Sequence, residues 1–214
     1  MKRTAVGVLA ALMIAAGPLS AASVSFAVLK QDGKPLAGAV ITAEPESGKS
    51  SPPAPQKAVV DQVELSFVPD VTVIPVGSSV SFPNSDQVSH QVYSFSPARR
   101  FQLPLYRGQA HAPVVFDQAG IVTLGCNIHD NMAAFIVVTA APFFGRTDAK
   151  GGWMIPSLPD GPYRIRIWHP LLKDPTKMLE RSVRIGAGAN EVDMKIEDVT
   201  RPAPLKSRPH SWEY

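Results

Sequence analysis

Cys126, His129 and Met132 stand at C-x2-H-x2-M spacing in the stretch GCNIHDNM, and Cys126 is the only cysteine of the chain. A thiolate, an imidazole and a thioether form a soft, mixed donor set that copper favours and few other biological metals accept. A second imidazole is available upstream, at His90 in FPNSDQVSH. Two histidines and one cysteine in a plane, with a long axial methionine, make a mononuclear copper centre suited to electron transfer. The expected ligand set is therefore His90, Cys126, His129 and Met132, holding one copper ion. Given 5 histidines and 6 methionines in 214 residues, chance places both at these offsets from a lone cysteine roughly once in 1,500.

Each of these residues also has a plainer reading. A lone cysteine is most often a buried apolar side chain, and methionine commonly fills irregular gaps in a core. His90 could be a core histidine with its hydrogen bonds satisfied. The other histidines point away from a metal. His111 lies in the polar loop RGQAHAP, His169 ends the strand-like IRIWHP, and His210 belongs to a proline-rich tail.

The elements that must position the four residues read as strands. GIVTLGC ends on Cys126, a short loop carries His129 and Met132, and AAFIVV follows. His90 opens a separate run, HQVYSF, so the site would join two parts of one β-structure. VVDQVEL, VTVIP, SVSF and APVVF continue the pattern, with Gly, Pro and Asp at the breaks. No stretch from Val59 to Ala140 has a 3.6-residue period over a dozen residues. Many short strands with turn signals between them imply a sandwich or small barrel. On either side lie further strand-like runs, Ser23 to Leu29 and Ala37 to Ala43 before, and YRIRIW and RSVRIGAGANEVDMKI after. Glu44 to Gln56 reads as a Pro/Ser-rich linker.

Lys2 and Arg3, an apolar run to Ala16, a Gly17-Pro18 break and Ser20-Ala21-Ala22 have the form of a cleavable export signal, residues 1–22. The expected address is the periplasm. The apolar run is too short to span a bilayer, and stable membrane insertion is not expected. A single thiol in an oxidising compartment must be buried, paired with another chain or held by a metal. The formal charge of +3 includes Lys2 and Arg3 of that signal. Val60 to Ala140 carries Asp61, Glu64, Asp70, Asp86, Asp117 and Asp130 against Arg99, Arg100 and Arg107. A mildly acidic unit of this kind has no footprint for nucleic acid, whose binders present a strongly basic face.

The run FVPDVTVIPVGSSVSFPNSDQVSHQV…FDQAGIVTLGCNIHDNM resembles the cupredoxins, the small blue-copper proteins, and its short ligand loop looks most like that of the amicyanins. The flanks VLKQDGKPLAGAVITAE and GRTDAKGGWMIPSLPDGPYRIRIWHP resemble the two halves of a carboxypeptidase-regulatory-like domain, a small transthyretin-like β-sandwich. The resemblance implies an all-β chain with a cupredoxin-like Greek-key β-sandwich over 58–140. That unit would be inserted in a discontinuous second sandwich, 23–57 plus 141–198, with a loose tail at 199–214. It implies a type 1 copper ion and intense colour from thiolate charge transfer. His129 would be the electron port, with Met132, Ala133 and Pro104 near the docking surface, and Asn84 would brace the ligand loop. Gln91 and Asp130 depart from the family, which commonly has Asn after the first histidine and often Pro after the second.

What is missing narrows the function. A binuclear purple-type centre needs two bridging cysteines, multicopper oxidases need several His-x-His pairs, and structural zinc favours Cys/His sets without methionine. No Ser/His/Asp order, phosphate-binding glycine loop or paired-carboxylate motif suggests an enzyme. The expected function is a monomeric carrier of single electrons that meets a redox protein donor and acceptor transiently. The alternative is a non-redox binding or copper-handling module that uses the flanking sandwich for attachment.

Overall fold

The computed structural model describes residues 21–47, 51–108, 111–129 and 131–197. Most of the expected export signal, the whole C-terminal tail and Asp130 lie outside the described residues. Seventeen strands and no helix make up the described chain. The leading flank contributes β1 (Ala21–Lys30) and β2 (Val40–Pro45). The central stretch supplies β3 (Lys57–Val59), β4 (Asp61–Val63), β5 (Ser66–Val68), β6 (Val71–Pro75) and β7 (Ser78–Ser81). It continues with β8 (Tyr93–Ser96), β9 (Arg99–Gln102), β10 (Val114–Phe116), β11 (Gly120–Gly125) and β12 (Ala133–Thr139). The closing flank adds β13 (Phe143–Arg146), β14 (Gly152–Pro159), β15 (Gly161–Trp168), β16 (Leu179–Ile185) and β17 (Ala189–Ile196).

The sheets sort these strands by region. The flanks form two sheets, in the orders β14-β1-β17 and β13-β2-β15-β16. The leading strands thus complete sheets whose other members come more than a hundred residues later. Alternation drives this: Tyr163, Ile165 and Ile167 of β15 point inward between half-buried arginines. With Val24, Phe26, Ile41, Trp168 and Val192 they make one apolar core. The central stretch forms a five-stranded sheet, β6-β12-β11-β8-β9, opposed by β10-β7-β3 and the β4-β5 hairpin. Ile74, Val80, Phe82, Phe116, Val122, Leu124 and Ile136 fill the second core between them, and Cys126 and Met132 belong to it.

The two cores share a wall. Val71 and Val137 of the five-stranded sheet turn into the flank core, with Val73, Ile121 and Phe135 packed beside them. The Phe135 ring lies 5.1 Å from that of Trp168, edge to face, and the Arg146 guanidinium donates to the Val71 carbonyl at 3.0 Å. Both faces of this sheet are therefore covered, which explains the near-continuous apolar run AAFIVV.

Three details differ from the sequence expectations. The linker expected from Glu44 begins later, because β2 runs through Glu44 and Pro45, which pair with Arg164 and Tyr163, and Arg166 holds Glu44 at 3.1 Å. VVDQVEL is not one strand. It breaks at Val60, whose N–H donates to Ser81, and the chain reverses at Glu64-Leu65. His90 lies outside any named strand, joined to Tyr106 by an isolated bridge. Its N–H donates to the Tyr106 carbonyl at 2.9 Å, and the return bond is 3.0 Å.

Candidate metal centre

Cys126 follows β11 directly, and Met132 immediately precedes β12. These strands are a hairpin in register Gly125↔Ala133, so the loop from 126 to 132 is pinned at both ends. Inside it the Met132 N–H donates to the His129 carbonyl at 3.0 Å. Gly125 permits the approach of a neighbour: a Cβ there would stand 2.8 Å from atoms of the Tyr93 ring on the adjoining strand.

His90 arrives from the other side. Asn84 braces its segment, donating to the carbonyls of Val88 (3.0 Å) and Tyr106 (2.9 Å) and accepting from the Asp86 N–H (3.0 Å). The bracing expected of Asn84 thus falls on the 84–90 segment. Behind it, Tyr106 donates its hydroxyl proton to the Phe82 carbonyl and accepts from Gln62 Nε2 at 2.6 Å. Burial pushes the Tyr106 phenol up to about 12.

His90, Cys126 and His129 converge. Cys126 Sγ lies 3.9 Å from Nδ1 of His90 and 3.9 Å from Nδ1 of His129, and the two nitrogens are 3.0 Å apart. The point equidistant from all three lies about 2.1 Å from each, within the range of roughly 2.0–2.3 Å for first-row metal bonds to imidazole nitrogen and thiolate sulfur. One ion can therefore reach the whole triangle without any donor moving far. His90 is fully buried, Cys126 nearly so, and His129 half-buried. The soft sulfur in this set fits copper.

The His90 ring is oriented from behind. Its Nε2 lies 2.7 Å from Asp86 Oδ2. A neutral ring that donates there keeps its lone pair on Nδ1, facing Cys126 and His129. The carboxylate also accepts the N–H of Glu64 (2.6 Å) and of Leu65 (3.0 Å). The Leu65 N–H, reinforced by His90 and Glu64, holds the Asp86 carboxyl below its ordinary range. Asp86 carried no assigned role in the sequence. Its spacing of four residues before His90 was visible, but the hairpin that meets it was not.

Met132 is buried at 2% exposure in the same core as Cys126. Its side chain is therefore enclosed, one residue before the exposed Ala133. Ala133 and Pro104 are exposed. Ile128, Val88 and Leu105 are large apolar side chains about half exposed, at 51%, 47% and 56%. His111 is exposed and meets Tyr106 edge to face. His169 lies in the flank core and is hydrogen-bonded at both nitrogens, to Ala37 and Leu171.

No family model and no curated protein matches this chain. Among solved structures it is similar to a Cu-containing nitrite reductase from Thermus scotoductus SA-01, at 27% identity and TM-score 0.37, covering 45% of this chain and 25% of that one. It is also similar to a purple cupredoxin from Nitrosopumilus maritimus, at 21% identity and TM-score 0.35, covering 38% of this chain and 99% of the other. A reduced amicyanin variant gives 20% identity and TM-score 0.36, over 46% and 99%. At these TM-scores the likenesses add no weight to the donor triangle.

Proposed function

We infer that the chain is a periplasmic type 1 copper protein that carries single electrons between redox proteins. The observation that supports this most directly is the triangle of His90 Nδ1, Cys126 Sγ and His129 Nδ1, sized for one ion. His90, Cys126 and His129 would hold the metal and Met132 would be the axial ligand. Bound copper would supply a one-electron couple whose two oxidation states share one ligand set.

The chain's own residues account for the rest. The β11–β12 hairpin and the His90–Tyr106 bridge fix the donors, so little rearrangement accompanies a change of charge. Burial of Cys126 shields the thiolate from oxidation. His129 is the ligand nearest solvent, and Ile128, Val88 and Leu105 offer apolar surface for a brief, small contact with a partner. The n-region, apolar run and small-residue stretch of the sequence over 1–22 are the basis for the periplasmic address. In the proposed organisation the copper unit, 58–140, is inserted between the two halves of a carboxypeptidase-regulatory-like sandwich.

The test is a visible spectrum of recombinant protein loaded with Cu(II). Intense absorption near 600 nm, roughly, is expected from thiolate-to-copper charge transfer, and it should vanish in Cys126→Ser. A colourless Cu(II) complex, or colour persisting in the serine variant, defeats the reading. Met132→Leu conserves volume and should cost less than about 1.5 kcal/mol of stability. If the thioether is a ligand, its loss removes a donor from Cu(II) more than from Cu(I), and the potential rises. An unchanged potential makes Met132 a core residue only.

A further inference from the structure

Glu64 and Leu65 are the two non-glycine residues with positive φ among the described residues, at 51° and 57°. They form the whole two-residue turn of the β4–β5 hairpin, closed by Val63↔Ser66. Turns with two consecutive left-handed residues ordinarily use Asn-Gly or Asp-Gly, and a bulky side chain in that region is disfavoured. Local sequence therefore does not explain this turn. Its two successive N–H groups do converge on one acceptor, the Asp86 carboxylate, at 2.6 and 3.0 Å. Paired backbone N–H groups of this kind make an anion-binding concavity. The oxygen that accepts from Leu65 also meets His90 Nε2, at 2.7 Å. Asp86 is thus fixed from three directions, and its side chain is only 13% exposed.

We propose that Asp86, seated in the Glu64–Leu65 turn, is the positioning residue for His90: it fixes the ring as the Nε2–H tautomer, aims the Nδ1 lone pair at the Cys126–His129 face and increases its donor strength. A carboxylate behind a ligating imidazole makes the ring a stronger donor. The stronger donor favours Cu(II) over Cu(I), so this chain sets its potential lower than an uncharged acceptor behind His90 would. The strained turn persists because its N–H groups have this partner. The inference rests on the copper reading and extends it to a residue that touches no metal.

Two measurements separate it from that reading. The first uses the metal-free protein, where nitrogen-15 NMR of the His90 ring reports the tautomer directly. Wild type should show Nε2–H alone, and Asp86→Asn a mixture with Nδ1–H. The same tautomer in both proteins overturns the proposal, whatever copper does. The second uses Cu(II)-loaded protein. Asp86→Asn should keep the thiolate–copper band, bind Cu(II) about 10- to 100-fold more weakly, and show a higher reduction potential. Asp86→Glu retains the charge and should fall between the two, and it serves alone if the Asn variant fails to fold. A potential equal to wild type in the Asn variant, or in the Glu variant serving alone, overturns the proposal. A wild type without the band defeats the copper reading and leaves the tautomer result to judge Asp86.

Discussion

His90 Nδ1 and His129 Nδ1 lie 3.0 Å apart, yet one ring is sealed in the protein and the other reaches solvent. The same centre therefore has an inner wall and an outer wall. His90 is walled in by its bonds to Tyr106 and Asp86, whereas His129 rides on the hairpin loop.

This asymmetry predicts opposite responses to losing either imidazole. In His129→Gly the vacated volume opens to solvent, so added imidazole should enter and restore the thiolate–copper band. In His90→Gly the cavity is enclosed, and the Asp86 carboxylate loses a buried partner. Added imidazole should fail there, and the fold should weaken by about 2–4 kcal/mol. Equal rescue of the two variants, followed by absorption, contradicts the inner and outer assignment.

Alkali should loosen the support behind His90. The Tyr106 phenol, raised by burial to about 12 from 10.0, stays protonated in the folded chain after it would ionise in the unfolded one. The folded state then holds the extra proton, so its stabilisation is complete below pH 10 and is lost as pH rises from 10 to 12. The loss attributable to this group is on the order of 2 kcal/mol. Urea unfolding at stepped alkaline pH should show a shallower decline in Tyr106→Phe. Parallel curves for the two proteins rule out Tyr106 as the source.

Acid should act at the other core. Burial lowers the His169 pKa from its ordinary 6.5, and the neutral ring satisfies both neighbours, donating from Nε2 to Ala37 and accepting at Nδ1 from Leu171. Protonation would remove the acceptor. Here the unfolded chain takes up the proton first, so the stabilisation is full above pH 6.5 and declines as pH falls toward the lowered folded value. Unfolding midpoints at pH 7.5 and 5.5 should differ less in His169→Gln than in wild type. A larger difference in the variant refutes the assignment.

The sequence showed the chemistry more clearly than the geometry. Cys126, His129 and Met132 sit within seven residues, and a hairpin loop needs nothing distant to bring them together. His90 was legible because its residue type completes a donor set. Strand periodicity made the all-β class plain, and the alternation along Tyr163 to Trp168 marked an inner face. What escaped were relationships set by tertiary contact. Nothing in VVDQVEL signals reversal at Glu64-Leu65, since neither residue favours a left-handed turn, and the stabilising partner, Asp86, lies 22 and 21 residues further along the chain. Nor does Phe135 reveal that it faces Trp168, because a strand covered on both sides loses the alternation that would label its faces.

That covered sheet carries the final prediction. Val71, Val73, Ile121, Phe135 and Val137 turn away from the donor triangle and into the flank core, while Leu124, Ala134 and Ile136 face the core that contains Cys126. Truncating Phe135 to Ala removes its edge-to-face contact with Trp168 and leaves a cavity at the shared wall. The cost should be on the order of 2–4 kcal/mol, less than for a fully enclosed phenylalanine. Because the lost volume lies on the far face of β12, the thiolate–copper band of the folded variant should keep its position and intensity. Urea unfolding and the visible spectrum together decide the matter. If Phe135→Ala left stability unchanged, the wall shared with Trp168 would carry no packing energy; if it altered the band while the protein stayed folded, the two faces of this sheet would not be independent, and the flanks would be part of the metal centre rather than its support.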